Sequence, residues 1–379
     1  MSRIWISGYR SIHNVKLELS QLNVVTGANG VGKSNLYKSL SLIAHAVNGG
    51  LARALAEEGG MPSVLWAGPR LGKKPVRLKL GFSIDEFSFE LAAGLRPHHG
   101  PSESSFELTL GLPPQGATIF RLDPEVKEEF VWHGMERRPT TTFLKRNGSI
   151  VELTREGSRP DELVQNILIT ESALSQVQQP ELYPVLAHFA HEVGGWRFYH
   201  HFDTSPTSPL RTDQVSTYSP VLDEDGRNLA AALQTINEIG DRDRLINAID
   251  QAFPGCFLAI SEHGKARLGL ALNTPGLLRQ LEANELSDGT LRFLCLAAAL
   301  MTPRPPSLLA FNEPETSLHP DLLPPLANLI VNASSHSQVW VTTHSTRLAE
   351  LIGEQSEFRH IHLQLQDGAT IATVAEESR

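Results

Sequence analysis

Apolar and polar residues alternate along the first 25 residues in short runs separated by turns. One run covers residues 3–7, a second covers residues 15–19, and an apolar run follows at 22–25. This spacing predicts three strands. After a glycine-rich stretch, Leu36, Leu40, Ile43 and Val47 recur at helical spacing. The chain therefore opens with strands, a loop and a helix over residues 34–47.

The pattern changes twice further along the chain. Short alternating runs broken by Pro and Gly predict an antiparallel sheet up to about residue 160, with strands near 76–82, 87–91, 106–110 and 143–153. Helical spacing then predicts an inserted, mainly helical lobe at 161–255. From 256, alternating strands and helices predict a parallel sheet with crossover helices. We expect one core split between 1–160 and 256–379.

The glycine-rich stretch at residues 27–34 reads Gly-Ala-Asn-Gly-Val-Gly-Lys-Ser, which matches GxxxxGK[ST] between a strand and a helix. Such a loop points backbone N–H groups at phosphates, its lysine reaches the β and γ phosphates, and its serine binds Mg²⁺. A plain glycine turn into a helix is the alternative. We expect ATP to bind this P-loop and the start of its helix, through Asn29, Gly30, Gly32, Lys33, Ser34 and Asn35.

Two later strands end in polar side chains. The apolar run 307–311 ends in Asn312-Glu313-Pro314-Glu315, and the run 338–342 is followed by His344. A carboxylate at such a strand end can orient the water that attacks the γ phosphate, so Glu313 is the candidate base. His344 is the candidate contact to the γ phosphate, although an isolated histidine more often has only a structural role.

Residues 285–293 read Glu-Leu-Ser-Asp-Gly-Thr-Leu-Arg-Phe, in which Ser287 is also a good N-cap for a helix. This string resembles the signature motif of ABC-type ATPases, and the order P-loop, signature, acidic strand end and histidine is theirs. The motifs at 8–12 (Gly-Tyr-Arg-Ser-Ile), 313–315 (Glu-Pro-Glu) and 318–320 (Leu-His-Pro) resemble the RecF, OLD and SMC branch, especially compact members without a coiled coil or nuclease domain. The resemblance covers about 1–50 and 280–350 well.

The resemblance implies an α/β P-loop NTPase with an ABC-type head, in which helices flank mixed antiparallel and parallel sheets. It also implies a homodimer in which Ser287 and Gly289 of one subunit contact ATP on the other. ATP and Mg²⁺, the latter held by Ser34 and Asn312, are the expected ligands. Slow ATP hydrolysis in DNA repair or anti-phage defence is the expected function, with DNA or a separate effector or nuclease as partner.

Two departures from the family pattern leave alternatives open. Asn312 stands where the family has an aspartate that anchors the Mg²⁺ shell, and a neutral amide binds a hard cation more weakly. A nucleotide sensor or scaffold with little hydrolysis is therefore the alternative function, and a transporter ATPase ranks last. No glutamine occurs between Asn35 and Pro114, so the family's Q-loop cannot be assigned.

Composition narrows the setting. The chain has 379 residues, a net charge of −9 and 2 cysteines. We found no apolar run long enough to cross a membrane and no secretory signal, so we expect a cytoplasmic protein. Five basic residues, Arg70, Lys73, Lys74, Arg77 and Lys79, could bind DNA phosphates or could merely protect a sheet edge. Arg10 could contact the nucleotide or could only anchor its own turn.

Overall fold

The computed structural model describes residues 1–69, 75–85, 103–114, 116, 118–155, 160–164, 167–177 and 179–374. Contacts between Cα atoms divide the chain into two compact units. The first contains Met1–Ser20, Gly27–Trp196 and Ile361–Arg379, and the second contains Gln21–Thr26 and Arg197–His360. The stretch 161–255 is shared between both units, and the segments 1–160, 161–255 and 256–379 stay a prediction.

An antiparallel eight-stranded sheet dominates the first unit, in the order β2-β1-β4-β5-β6-β7-β8-β9. Its strands are β1 (Arg3–Tyr9), β2 (Ile12–Glu18), β4 (Leu78–Asp85), β5 (Glu103–Gly111), β6 (Glu125–His133), β7 (Thr142–Asn147), β8 (Ile150–Thr154) and β9 (Pro160–Val164). The antiparallel sheet predicted from the runs near 76–82, 106–110 and 143–153 is confirmed, since these runs form β4, β5, β7 and β8, whereas β6 and β9 were not predicted. The run predicted at 87–91 lies outside the described residues.

Helices and a hairpin complete the first unit. They are α1 (Lys33–Val47), α2 (Leu51–Glu57), α3 (Met61–Val64), α4 (Pro184–Gly194) and the antiparallel pair β17 (Arg359–Gln366) and β18 (Ala369–Val374). Alternation in the sheet buries one face, and Phe82 on that face stacks on Phe189 of α4 with ring centroids 5.3 Å apart. The edge of Trp196 meets the same Phe82 ring at 5.0 Å. Aromatic packing therefore joins α4 to the sheet.

A buried ion pair lies in this sheet. The side chains of Arg146 on β7 and Glu129 on β6 are both fully buried, and Arg146 Nη1 is 3.7 Å from Glu129 Oε2. Arg146 also donates to the carbonyls of Gly148, Leu168 and Glu171. Glu129 accepts from the backbone N–H groups of Ala173 and Leu174. The pair thus ties the segment 168–174 to the sheet, because each charge satisfies backbone groups of that segment.

Parallel strands form the centre of the second unit. β10 (Arg197–Tyr199), β15 (Leu308–Asn312), β16 (Gln338–Thr342) and β3 (Leu22–Gly27) lie side by side in that order. Ala310 lies opposite Trp340, and Val341 opposite Val24. The helices are α5 (Leu229–Ile239), α6 (Arg242–Ala252), α7 (Asp288–Leu300), α8 (Leu323–Ala333) and α9 (Thr346–Gly353). The predicted order of strand, crossover helix and strand from 307 to 342 is confirmed.

The strands that follow residue 256 are antiparallel, so the prediction that they begin a parallel sheet is wrong. β12 (Phe257–Glu262) pairs with β13 (Arg267–Asn273), which also pairs with β11 (Gln214–Val215) and β14 (Leu281–Glu282). The connection between β12 and β13 is a short hairpin, which is compatible only with antiparallel pairing. In turn β10, in the predicted helical lobe, belongs to the parallel sheet.

Candidate functional site

The P-loop adopts the conformation that its glycines permit. Gly27, Gly30 and Gly32 have φ angles of 149°, 80° and 104°. A Cβ atom at Gly27 would lie 2.5 Å from the Leu363 carbonyl oxygen, whereas one at Gly30 would meet nothing within 4 Å. Side chains are therefore excluded at the first glycine by the β17 backbone. At Gly30 the backbone lies open, as a phosphate cradle requires.

Lys33 and the start of α1 supply positive charge to this loop. The Lys33 residue is 5% exposed, and its Nζ donates to the carbonyls of Gly27 at 2.7 Å and Ala28 at 3.0 Å. Gly32 is the N-cap, and no described side chain caps α1. The first N–H groups of the helix thus remain directed toward the loop. A lysine folded over a glycine loop, with an uncapped helix behind it, fits a nucleotide phosphate.

A small hydroxyl and amide network holds the P-loop from behind. Thr370 on β18 is 1% exposed, and its Oγ1 donates to the Val31 carbonyl at 2.8 Å. The Thr370 N–H donates to the Ser11 carbonyl at 2.8 Å, and the two hydroxyls are 2.8 Å apart. Asn35 Nδ2 donates to Ser11 Oγ at 2.8 Å. Asn35, predicted to bind ATP, therefore uses its amide to position the loop.

Arg10 anchors its own turn in this structure. Its φ angle is 47°, and its Nη2 is 2.7 Å from Glu58 Oε2. Glu58 also accepts from the Tyr9 hydroxyl at 2.9 Å and lies 3.2 Å from Lys38 Nζ. Burial, followed by the nearby Glu58 charge, raises the pKa of Tyr9. Of the two roles left open for Arg10, this geometry favours the anchor.

The second unit brings the predicted acid and histidine together at one sheet edge. Asn312 ends β15, and the neighbouring β16 ends at Thr342. Glu313 has a φ angle of 49°, and its N–H donates to the Thr342 carbonyl at 2.7 Å. His344 Nδ1 lies 3.8 Å from Glu313 Oε2. The next strand in this sheet is β3, whose chain continues from Thr26 directly into the P-loop.

Glu315 is the structural centre of this edge. Its side chain is 5% exposed, and Oε1 accepts from the Thr343 hydroxyl at 2.6 Å and from the N–H groups of His344 and Ser345 at 3.1 and 3.2 Å. The same oxygen is 3.2 Å from His344 Nδ1. A buried carboxylate with these partners fixes both the loop and the imidazole ring. Because Nδ1 faces Glu315, Nε2 is the nitrogen left for other partners.

Asn312 carries a buried acceptor without a partner. The residue is 7% exposed, and its Oδ1 has no hydrogen-bond donor among the described residues. A buried amide oxygen of this kind is an ordinary ligand for a hydrated Mg²⁺ ion, although weaker than a carboxylate. The Ser34 hydroxyl, in the first unit, is half-buried at the start of α1. Both residues predicted for the metal therefore have suitable chemistry.

The signature motif begins α7, where Ser287 has the predicted capping role. Ser287 Oγ accepts from the Thr290 N–H at 3.1 Å. The preceding residues are held by Arg211, which donates to the carbonyls of Ala283 and Leu286 and lies 2.6 Å from Asp288 Oδ1. The capping bond and the Arg211 contacts hold this loop in place, while the Ser287 residue itself is exposed. Such a motif can present a hydroxyl to a ligand outside its own subunit.

Sequence reasoning missed the residues that position the site. These residues are Glu315, Thr370, Ser11 and Arg211, whose partners are mainly backbone groups distant in sequence. Two of them gave a signal, Glu315 as the second acid of the Glu-Pro-Glu string and Ser11 as a member of the motif at 8–12. Of the basic cluster, Arg77 is exposed and Lys79 pairs with Glu107 at 3.0 Å. Arg70, Lys73 and Lys74 lie outside the described residues.

Comparisons with known structures agree with this fold. An SMC head bound to the C-winged helix domain of ScpA is 14% identical, with a TM-score of 0.59, 99% of this chain covered and 97% of that chain. An SMC head from Pyrococcus furiosus, bound to the C-terminal domain of ScpA, is 14% identical with a TM-score of 0.57, and the match covers 99% of this chain and 96% of that chain. An SMC head from Pyrococcus yayanosii is 11% identical with a TM-score of 0.55, and the match covers 99% of this chain and 97% of that chain.

These likenesses show the fold, which is that of an SMC head, an α/β P-loop NTPase with mixed sheets flanked by helices. No curated protein sequence gives a match. Among the described helices, none combines the length and the apolar character needed to cross a membrane. The family described as "AAA domain, putative AbiEii toxin, Type IV TA system" matches residues 22–350. The chain therefore belongs to this AAA-domain family.

Proposed function

We propose that this protein binds and slowly hydrolyses ATP as a homodimer, with the P-loop and Glu313 of one subunit acting on the same nucleotide. The arrangement of Glu313, Glu315 and His344 at the ends of β15 and β16 carries this proposal. Parallel α/β sheets bind ligands beyond the carboxyl ends of their strands. The neighbouring strand β3 leads directly into the P-loop along the chain.

Each side chain then has a defined task. Glu313 is partly exposed, with 32% of its side chain accessible, and can accept a hydrogen bond from the attacking water and orient it. His344, whose Nδ1 is held by Glu315, would use Nε2 toward the γ phosphate. Lys33 would exchange its bonds to the loop carbonyls for bonds to phosphate oxygens. Ser34 and Asn312 would hold Mg²⁺, which when bound neutralises charge on the phosphates.

The signature motif supports the dimer. Ser287 is exposed at a fixed helix start and is available to a nucleotide on a second copy of the chain. In that arrangement, charge-assisted hydrogen bonds to ATP hold the subunits together, and hydrolysis removes them. Gly289 lies two residues further on and would allow close approach of its backbone to the phosphates. ATP would thus control assembly of the dimer, which suits a protein that activates a partner only in its ATP-bound form.

Sizing the Glu313→Gln variant with and without ATP tests this proposal. The amide keeps the shape of the side chain but removes the base, so bound ATP should persist and shift the protein from monomer to dimer. Lys33→Ala in the same background should remain monomeric because it loses phosphate binding. Turnover of the unaltered protein should exceed that of Glu313→Gln by at least about 100-fold. An unchanged size with bound ATP would refute the dimer.

We place the activity in DNA repair or anti-phage defence, acting on DNA or through a separate effector or nuclease. The family description names a toxin of a toxin–antitoxin system, which supports a defence setting. ATP turnover measured with and without duplex DNA at low salt tests the DNA alternative, since phosphate contacts are strongest there. If duplex DNA neither binds nor stimulates ATP turnover, a protein effector is the remaining partner.

A nucleotide sensor with little hydrolysis is the second candidate, and Asn312 is the observation that favours it. Its unpartnered amide oxygen carries no charge for the Mg²⁺ shell. In this case, Glu313→Gln would leave an already negligible turnover unchanged, while ATP-dependent dimerisation persisted. Comparing the two rates therefore separates the candidates.

A further inference from the structure

A buried arginine connects the signature helix to the loop that carries Glu313. Arg292 lies on α7, is 5% exposed, and has no carboxylate within ion-pair distance among the described side chains. Its Nη2 donates to the Glu313 carbonyl at 3.3 Å, and its Nη1 lies 3.4 Å from His201 Nδ1. Burial lowers the pKa of Arg292. A buried guanidinium is costly, and this one is directed at the backbone of the proposed base.

The Glu313 backbone is strained and pinned from two sides. Its φ angle of 49° is unusual for a residue with a side chain. The N–H donates to the Thr342 carbonyl of β16, and the Glu313 carbonyl accepts from Arg292 of α7 and, within its own loop, from the Thr316 N–H at 3.1 Å. A left-handed backbone persists only where its surroundings hold it. Displacement of α7 would therefore release one of three hydrogen bonds that hold the Glu313 backbone, and the only one of the three that comes from a side chain.

A second contact between α7 and the same loop reinforces the first. A Cβ atom added at Gly289 would lie 2.9 Å from the Ser317 carbonyl oxygen, so the first turn of α7 packs directly on the loop backbone. Ser317 itself has a φ angle of 63°. The loop 313–317 is thus braced against α7 at both of its ends. Ser287 caps this same helix, so a force on the signature motif is transmitted to the loop.

We infer that Arg292 is a positioning residue that makes hydrolysis at Glu313 depend on engagement of the signature motif by a nucleotide. The inference rests on the proposed composite site, in which Ser287 contacts ATP held by the second copy. The Glu313 side chain of each subunit is then oriented for hydrolysis only when ATP bound by the other subunit contacts the signature motif at the start of its own α7. The two ATP molecules of the dimer would be hydrolysed in a coordinated manner, which the separate roles of Ser287 and Glu313 do not explain.

A double-mutant cycle of Ser287→Ala and Arg292→Gln tests this role. Each single variant should lower kcat about tenfold or more while its Kd for a fluorescent ATP analogue stays within about twofold. If both act through one path, the double variant should be no slower than the slower single variant. Arg242→Gln, an exposed arginine on α6, is the matched control and should keep full turnover.

The outcomes separate this inference from the proposed function. Full turnover of Ser287→Ala would refute the composite site itself. A slow Ser287→Ala with a fully active Arg292→Gln would overturn only the role of Arg292. A double variant slowed by the product of the single effects, about 100-fold, would also overturn it, because the residues would then act independently. If Arg292→Gln does not fold, Arg292→Lys keeps the charge with a different reach and replaces it throughout the cycle.

Discussion

Glu315 Oε1 lies 3.2 Å from His344 Nδ1 and accepts the backbone N–H of the same histidine at 3.1 Å. One buried carboxylate oxygen therefore fixes both the backbone position of His344 and which nitrogen of its imidazole ring faces inward. A residue held by two bonds to one atom can pivot but not translate. The proposed γ-phosphate contact of His344 thus depends on a neighbouring carboxylate that is itself buried.

We expect Glu315→Gln to lower kcat about 10- to 100-fold, because a neutral amide holds the His344 ring and the loop less firmly. The Kd for ATP should stay within about twofold, since Lys33 and the P-loop are untouched. Steady-state turnover and binding of a fluorescent analogue measure the two effects separately. Glu350→Gln, which changes an exposed acid on α9, is the control. Equal turnover in both variants would refute the positioning role.

Asn312→Asp should lower the Mg²⁺ concentration that gives half-maximal ATP turnover, by about tenfold. The substitution places a charged oxygen where the buried amide oxygen has no partner. Asn312→Ala, in contrast, should raise that concentration because the oxygen is lost. Mg²⁺ titrations at saturating ATP provide the measurement. If all three proteins respond alike to Mg²⁺, Asn312 does not take part in the metal shell.

The free energy of unfolding should fall by about 3–5 kcal/mol in Arg146→Met. The substitution leaves the buried Glu129 carboxyl group without its cationic partner and removes donors from three backbone carbonyls. Lys145→Met removes the neighbouring exposed pair with Glu152 and should cost less than about 1 kcal/mol. Denaturant unfolding of both variants compares the two. Similar losses would contradict a special role for the buried pair.

The two cysteines should differ in reactivity. Cys295 is fully buried, and burial raises its pKa, so its thiolate is suppressed in the folded protein. Cys256 is partly exposed. A disulfide reagent should therefore modify one thiol in the native protein and both after denaturation. Cys256→Ser is the control and should abolish the native reaction. Rapid native modification of Cys295 in that variant would show that α7 opens readily.

Local patterns predicted most of the elements that carry the site. The P-loop, α1, β15 and β16 follow from apolar periodicity and from turn residues, which act over a few positions. The N-cap role of Ser287 and the proximity of Glu313 and His344 also follow, because adjacent parallel strands end at one edge. Local sequence patterns were therefore sufficient to predict those parts of the site whose residues are close together in sequence.

Long-range arrangements escaped prediction. The pairing of β12 with β13 uses the same alternation as a parallel strand, so its direction is not visible in the apolar pattern. β10 has three residues and joins β15 although it lies in a stretch with helical periodicity. Thr370 and Glu315 act on backbone groups, which every residue has, so no spacing distinguishes their targets. Tertiary packing determined these features.

The position of β3 has a consequence for synthesis of the protein. Leu22 lies opposite Val339, so β3 obtains its partner β16 only after the whole stretch between them, residues 28–337, has been synthesised. The second unit therefore cannot close while the chain is still short, and closing so long a loop is slow. Until then, the apolar strand 22–25 emerges from the ribosome without its final neighbours. Expressing 197–360 alone would omit the edge that leads to the P-loop, whereas a circular permutant that starts near residue 197 would bring the strands together early.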